Sequence, residues 1–88
     1  MKRGYFPGKE VMKMDGYRVE GKWQPTDQGR VYVARAISPK GRVLGVARFD
    51  VPVMTGFEMS EAYGPELTEQ LIVQAAEEQA HRFGKAAK

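Results

Sequence analysis

The sequence predicts a two-layer α+β domain of order β-β-β-α, in which a three-stranded antiparallel meander carries one C-terminal helix packed on one face. Three observations predict this fold: polar and apolar residues alternate over three segments, short turn sequences separate those segments, and apolar residues near the C-terminus recur at helical spacing. A chain of 88 residues has room for one small core. We therefore expect a single domain over residues 16–88, preceded by a flexible N-terminal arm over residues 1–15.

The first predicted strand covers about residues 16–24, "GYRVEGKWQ". Tyr17, Val19 and Trp23 fall on one side of this segment, while charged residues fall on the other. Alternation with aromatic and β-branched residues is typical of a half-buried strand. The following "PTDQG" contains the residues that favour turns and ends the strand.

The second and third predicted strands cover about residues 30–38 and 42–51, and "SPKG" joins them. Gly41 in this turn can adopt the left-handed conformation that a three-residue hairpin loop requires. Such a loop sets Ser38 opposite Arg42 and thereby fixes the pairing of all later residues.

In this register, Arg30 lies opposite Asp50 and Tyr32 lies opposite Arg48, and both pairs are chemically favourable. If Gln24 faces Arg30 across the first turn, all three strands share one apolar face. We expect that face to carry Trp23, Val31 and Phe49. The opposite face, which we call the outer sheet face, is then apolar at its centre and basic around its rim.

Arg35 falls on the apolar face in this register, where an unpaired guanidinium is costly to bury. Three alternatives stay open. The side chain reaches an edge of the sheet, pairs with a helix glutamate, or is turned outward by a β-bulge.

The predicted helix covers about residues 65–83, with Gly64 as its cap, Pro65 at its first position and Gly84 as its stop. Residues 52–63 are expected to be a connection, because Pro and Gly interrupt them. At helical spacing, one stripe of the helix is apolar and is expected to lie on the Trp23 face of the sheet. The stripe contains Ile72, Ala75, Ala76, Ala80 and Phe83, widened by Leu71 and Val73.

The charge is unevenly distributed along the chain. Residues 1–50 contain 11 Lys and Arg against 5 Asp and Glu, whereas residues 51–88 contain 3 against 6. The basic half is compatible with nucleic-acid binding, but a solvated sheet face together with an ordinary acidic helix is the interpretation we favour. The chain has no cysteine and no long apolar run, so we expect a cytoplasmic protein without a membrane segment.

Few residues of the chain are suited to catalysis. His81 is the only histidine, and we interpret it as a solvated residue near the end of a helix. Glu77 and Glu78 are interpreted as a polar helix face, and no glycine-rich phosphate-binding motif opens a helix. We therefore expect no enzymatic activity, no cofactor, no metal and no small-molecule substrate.

The outer sheet face is the strongest candidate for a binding surface, because an exposed antiparallel face is normally polar at its centre. A second copy of the chain, the arm of residues 1–15, or an outside partner would cover it. The leading hypothesis is a small non-enzymatic protein-interaction module that forms a homodimer or binds another protein. The predicted interface residues are Tyr32, Ala34, Ala36, Leu44, Val46 and Arg48.

The alternative hypothesis is a nucleic-acid-binding module that uses a basic sheet face. Tyr32 is the one exposed aromatic residue expected on that face for stacking bases. The residues predicted to bind nucleic acid in this case are Arg18, Lys22, Arg30, Arg42 and Arg48.

Overall fold

The structure is a computed structural model that describes residues 16–87, so the predicted arm of residues 1–15 lies outside the described residues. Three antiparallel strands form a sheet of order β1-β2-β3, and two helices follow. The predicted α+β meander with C-terminal helical structure packed on the sheet is confirmed. The elements are β1 (Arg18–Thr26), β2 (Gly29–Ile37), β3 (Val43–Pro52), α1 (Val53–Tyr63) and α2 (Pro65–Ala86).

The β1–β2 hairpin has a shorter loop than the sequence predicted. Thr26 pairs with Gly29, so that only two residues form the loop, and the Gly29 amide donates a hydrogen bond to Thr26 Oγ1 at 3.1 Å. As a result Trp23 lies opposite Tyr32. The predicted pairing of Gln24 with Arg30 is wrong by one residue.

The β2–β3 turn forms as predicted, but the strands beyond it do not keep that register. The Ser38 amide donates to the Arg42 carbonyl at 2.8 Å, and Gly41 has a φ of 88°. A β-bulge at Leu44 then adds one residue to β3. Ile37 pairs with Val43, whereas the next pair is Ala36 with Gly45, so Leu44 has no partner on β2. Beyond the bulge, every predicted β2–β3 pair is displaced by one residue.

The two one-residue shifts turn the central strand over, since neighbouring side chains of a strand point to opposite faces. Tyr32, Ala34 and Ala36 therefore lie on the helix side of the sheet, where all three are buried. Their predicted place on the outer sheet face is wrong. Arg35 points to the outer face instead, beside Glu20.

Helix α2 packs on the sheet through a residue at every fourth position, and all of these except Ile72 are small. Its buried residues are Thr68, Ile72, Ala76, Ala80 and Gly84. Opposite them on the sheet lie Ala34 and Ala47, which belong to the same buried cluster. Small residues on both surfaces let the helix approach the strands closely. Leu71 and Ala75, predicted in the stripe, are exposed.

Three aromatic rings occupy the space above three glycines. Tyr32 packs on Gly21, while Phe83 packs on Gly45. The Tyr17 ring packs on Gly84, which lies inside α2, so the predicted helix end at this glycine is wrong. A methyl group on any of the three glycines would overlap the ring that covers it.

Residues 53–63, predicted as a connection, form the helix α1. Gly64, with a φ of 87°, separates it from α2, and Pro65 begins the second helix as predicted. Helix α1 packs beside α2, with Met59 against the buried cluster. None of its residues is fully buried, which leaves most of its surface exposed.

Candidate functional site

The large apolar side chains with the highest exposed fractions in the described residues lie on α1. Val53, Met54 and Phe57 are exposed by 69%, 65% and 60%, respectively. Helical spacing puts them on one side of the helix, and we call them the α1 apolar surface. Exposed apolar residues grouped on one side of a helix make this surface a candidate for contact with another molecule.

A groove of about 370 Å³ runs beside this surface, where β3 passes directly into α1. Its apolar lining comes from Val51, Pro52, Val53, Gly56 and Phe57, and Arg30 also lines it. The Val53 amide donates a hydrogen bond of 2.9 Å to the Gln28 carbonyl. This bond ties the start of α1 to the β1–β2 loop and holds the groove in shape.

Arg30 is positioned by an aromatic stack. Its guanidinium carbon lies 3.9 Å from the centroid of the Trp23 ring, which is a cation–π contact. Trp23 in turn meets Tyr32 edge-on, with 5.2 Å between the ring centroids. No ion pair within residues 16–87 involves Arg30. Its hydrogen-bond donors therefore have no carboxylate partner in the described part of the chain.

Tyr32 links this stack to α2. Its hydroxyl donates a hydrogen bond of 3.0 Å to Glu77 Oε2. Burial of the ring, the hydrogen bond and the negative charge of Glu77 together raise the pKa of Tyr32 to about 12. The phenol is thus a neutral hydrogen-bond donor that connects β2 to α2, so its role is structural.

The six predicted interface residues do not form one surface. Tyr32, Ala34 and Ala36 are buried beneath α2, and Leu44 is half-buried at the bulge. Val46 and Arg48 are exposed on the outer sheet face. The signal that would have located them correctly is the short loop after Thr26, which sets the parity of β2.

The five predicted nucleic-acid residues are also divided. Strand alternation places Arg18, Lys22 and Arg48 on the outer sheet face, whereas Arg30 lies on the helix side and Arg42 at the hairpin turn. Two of those on the outer face have acidic neighbours. Arg18 pairs with Glu20 at 2.8 Å and Arg48 with Asp50 at 3.5 Å.

Arg35 and Glu20 add to the mixed charge of the outer sheet face. Their nearest oxygen–nitrogen distance is 3.9 Å, and both side chains are nearly half exposed. Of the three alternatives for Arg35, the bulge that turns it outward is the one observed. Exposed pairs of this kind stabilise a fold only weakly.

His81 contacts the start of the described chain. The Tyr17 hydroxyl and His81 Nδ1 are 2.9 Å apart and share a hydrogen bond, and the two rings meet edge-on. This contact holds the C-terminal part of α2 to the residues that precede β1, which is a structural role.

Sequence reasoning missed the α1 apolar surface because it assigned no helix there. Among residues 16–87, neither helix has the length and apolar character that crossing a membrane requires. In comparisons with known proteins, the chain matches no protein-family model, no curated protein and no solved structure.

Proposed function

We propose that the protein is a non-enzymatic protein-interaction module that self-associates through the α1 apolar surface. The observation that carries this proposal is a helix with three large apolar side chains, each at least 60% exposed, and no buried residue. Fully burying one such side chain contributes about 1.5–3 kcal/mol. A two-fold dimer uses each residue twice, so this small surface becomes an interface of six large side chains.

The sequence placed self-association on the outer sheet face, and we move the contact to α1. Ala34 and Ala36 were to form the apolar centre of that face, but they are fully buried under α2. The large apolar residues that remain exposed there are Val43 and Val46, each 46% exposed, and they lie beside mixed charges. The α1 apolar surface, by contrast, lies next to an apolar groove that a second helix can enter.

Nucleic-acid binding has less support. Arg30 lies on the opposite side of the sheet from the other predicted strand residues, and the carboxylates of Glu20 and Asp50 offset part of the positive charge. A polyanion would meet separated cations rather than a continuous basic path.

The test is the molar mass of the chain in solution, measured by light scattering and sedimentation over a wide range of concentration. The native chain is expected to shift from monomer to dimer as concentration rises. Phe57→Glu should remain a monomer, because a carboxylate cannot be buried unpaired in an apolar contact. Val46→Glu is the matched control, since it places the same charge on an exposed apolar position of the outer sheet face.

Circular dichroism of both variants establishes that they are folded. A native chain that stays monomeric at every concentration would overturn the proposal. If Val46→Glu abolishes the dimer while Phe57→Glu retains it, the contact lies on the outer sheet face and the α1 assignment is wrong.

A further inference from the structure

We infer that two copies of the chain pack their α1 helices antiparallel across a two-fold axis, so that Arg30 of each copy contacts Glu61 of the other. This inference rests on the proposed function, because it concerns the partner and the geometry of the same surface. It follows from the distribution of charge along α1 and around its groove.

The charges of α1 are unfavourable for an isolated helix. Glu58 lies at its middle and Glu61 in its last turn, its first turn has no acidic residue, and its last turn has no basic one. The C-terminal end of a helix carries partial negative charge, which repels carboxylates nearby. No ion pair within residues 16–87 compensates either glutamate. An external positive partner would relieve this repulsion.

A positive charge, that of Arg30 on β2, lies near the N-terminal end of α1. Arg30 borders the groove together with Val53 and Phe57, which belong to the first half of α1. The N-terminal end of a helix is also partially positive. One end of this surface is therefore positive and apolar, while its other end is negative, so two copies complement each other only when they run in opposite directions.

Helix geometry favours Glu61 over Glu58 as the partner. Glu61 is four residues after Phe57 and its direction falls between those of Phe57 and Met54, whereas Glu58 is four residues after Met54 and lies at the margin of the α1 apolar surface, about 100° from Phe57. In an antiparallel pair centred on Phe57, Glu61 of one helix lies level with Val53 of the other. Arg30 and Val53 line the same groove, and the inferred contact requires the Arg30 guanidinium to reach Glu61 of the second copy from its place over Trp23.

The experiment exchanges the charges between two variants. Arg30→Glu alone places carboxylates against Glu61 of the second copy, and Glu61→Lys alone places an ammonium against Arg30. Each variant should self-associate about tenfold more weakly than the native chain. Mixed together they should form a heterodimer of near-native affinity, because both contacts are then attractive. Sedimentation of labelled chains gives the dissociation constants, and native mass spectrometry gives the composition.

Two matched controls carry the same charge changes away from the proposed contact. Arg42→Glu lies at the hairpin turn, and Glu58→Lys lies on α1 at the margin of the apolar surface, one turn after Met54 and farther from Phe57 than Glu61 is. Neither should weaken the dimer as strongly, and their mixture should show no preference for the heterodimer. Loss of the Trp23 contact could unfold Arg30→Glu; in that case the comparison of Glu61→Lys with Glu58→Lys decides.

The outcomes separate this inference from the proposed function. If Phe57→Glu disrupts the dimer but Glu61→Lys does not weaken it more than Glu58→Lys does, the antiparallel pairing is wrong and self-association through α1 stands. If the charge variants weaken self-association but their mixture does not recover, the pairing of these two residues is wrong. A native chain that never dimerises removes both.

Discussion

The position of the Tyr32 side chain shows which face of β2 packs against the helices. The sequence placed it on the outer sheet face as a candidate for stacking, whereas it is buried with its hydroxyl bonded to Glu77 and its ring on Gly21. Its acceptor belongs to a helix far along the chain, and no local pattern in β2 identifies that partner. Alternation indicated a strand here but did not show which side of it faces the helix.

The raised pKa of Tyr32 predicts that the fold loses stability at alkaline pH. In the unfolded chain a tyrosine ionises near pH 10, whereas the folded protein holds this proton up to about pH 12. Over that interval the unfolded state binds fewer protons than the folded state. The free energy of unfolding contributed by this group is therefore complete below about pH 10 and declines as pH rises towards 12.

Chemical denaturation at several pH values in this range measures the decline. Tyr32→Phe is the matched variant, because it keeps the ring on Gly21 and removes the ionisable group. It should be less stable than the native chain at neutral pH, since Glu77 loses its donor, and its stability should change less between pH 10 and 12. Equal pH dependence of the two proteins would contradict the assignment.

At the scale of the elements, the sequence was a good guide to which segments form strands and a poor guide to how they face. Period-two alternation identifies each strand on its own, and both hairpin turns lie where turn residues occur. Which side chains of a strand face the helices depends on the length of the β1–β2 loop and on the bulge at Leu44. Each of these shifts the pairing between neighbouring strands by one residue. Val31 and Val33 are larger than Ala34 and Ala36, so hydrophobicity favoured the wrong side of β2.

Helix α1 was missed because its residues resemble a connection. Pro52 precedes the helix and so interrupts no helical hydrogen bond. Gly56 lies within it, where its missing side chain allows a close approach to Val51; a Cβ there would lie 3.2 Å from the valine methyl carbon. The position of the candidate surface could therefore not be predicted from the sequence. The class of function that the sequence suggested, contact with a protein, is the one we still propose.

The unequal burial of the two helices predicts unequal protection of their amides. Helix α2 buries five residues, while α1 buries none. Local opening of α1 therefore exposes less apolar surface and costs less free energy. Amides of α1 should exchange with solvent faster than those around Ile72 and Ala76. Hydrogen exchange followed by NMR on dilute, monomeric protein measures this, and equal protection of both helices would contradict it.

At the scale of the whole molecule, the core is small and built largely from alanine. Ala34, Ala47, Ala76 and Ala80 contribute little apolar area each, and small domains are only modestly stable. Association that buries the α1 apolar surface would add to that stability.

Linkage between dimerisation and folding predicts that Tm depends on protein concentration. Binding of a second copy to the folded state raises Tm, and the increase grows with concentration. Thermal unfolding of the native chain should show this rise, whereas Tm of Phe57→Glu should be constant over the same range. A constant Tm for both chains would argue against self-association, and a parallel rise in both would place the contact elsewhere.

The three rings that pack on glycines constrain how this sequence can vary between related proteins. In each of three pairs, the ring of one residue fills the space that a side chain at the other position would need. The pairs are 21 with 32, 45 with 83, and 84 with 17. A larger residue at the glycine position is tolerated only where the ring has become smaller. The two members of each pair should therefore covary, and an evolutionary exchange should proceed through an intermediate with a cavity rather than one with an overlap, because a cavity lets the fold persist while an overlap displaces the helix from the sheet.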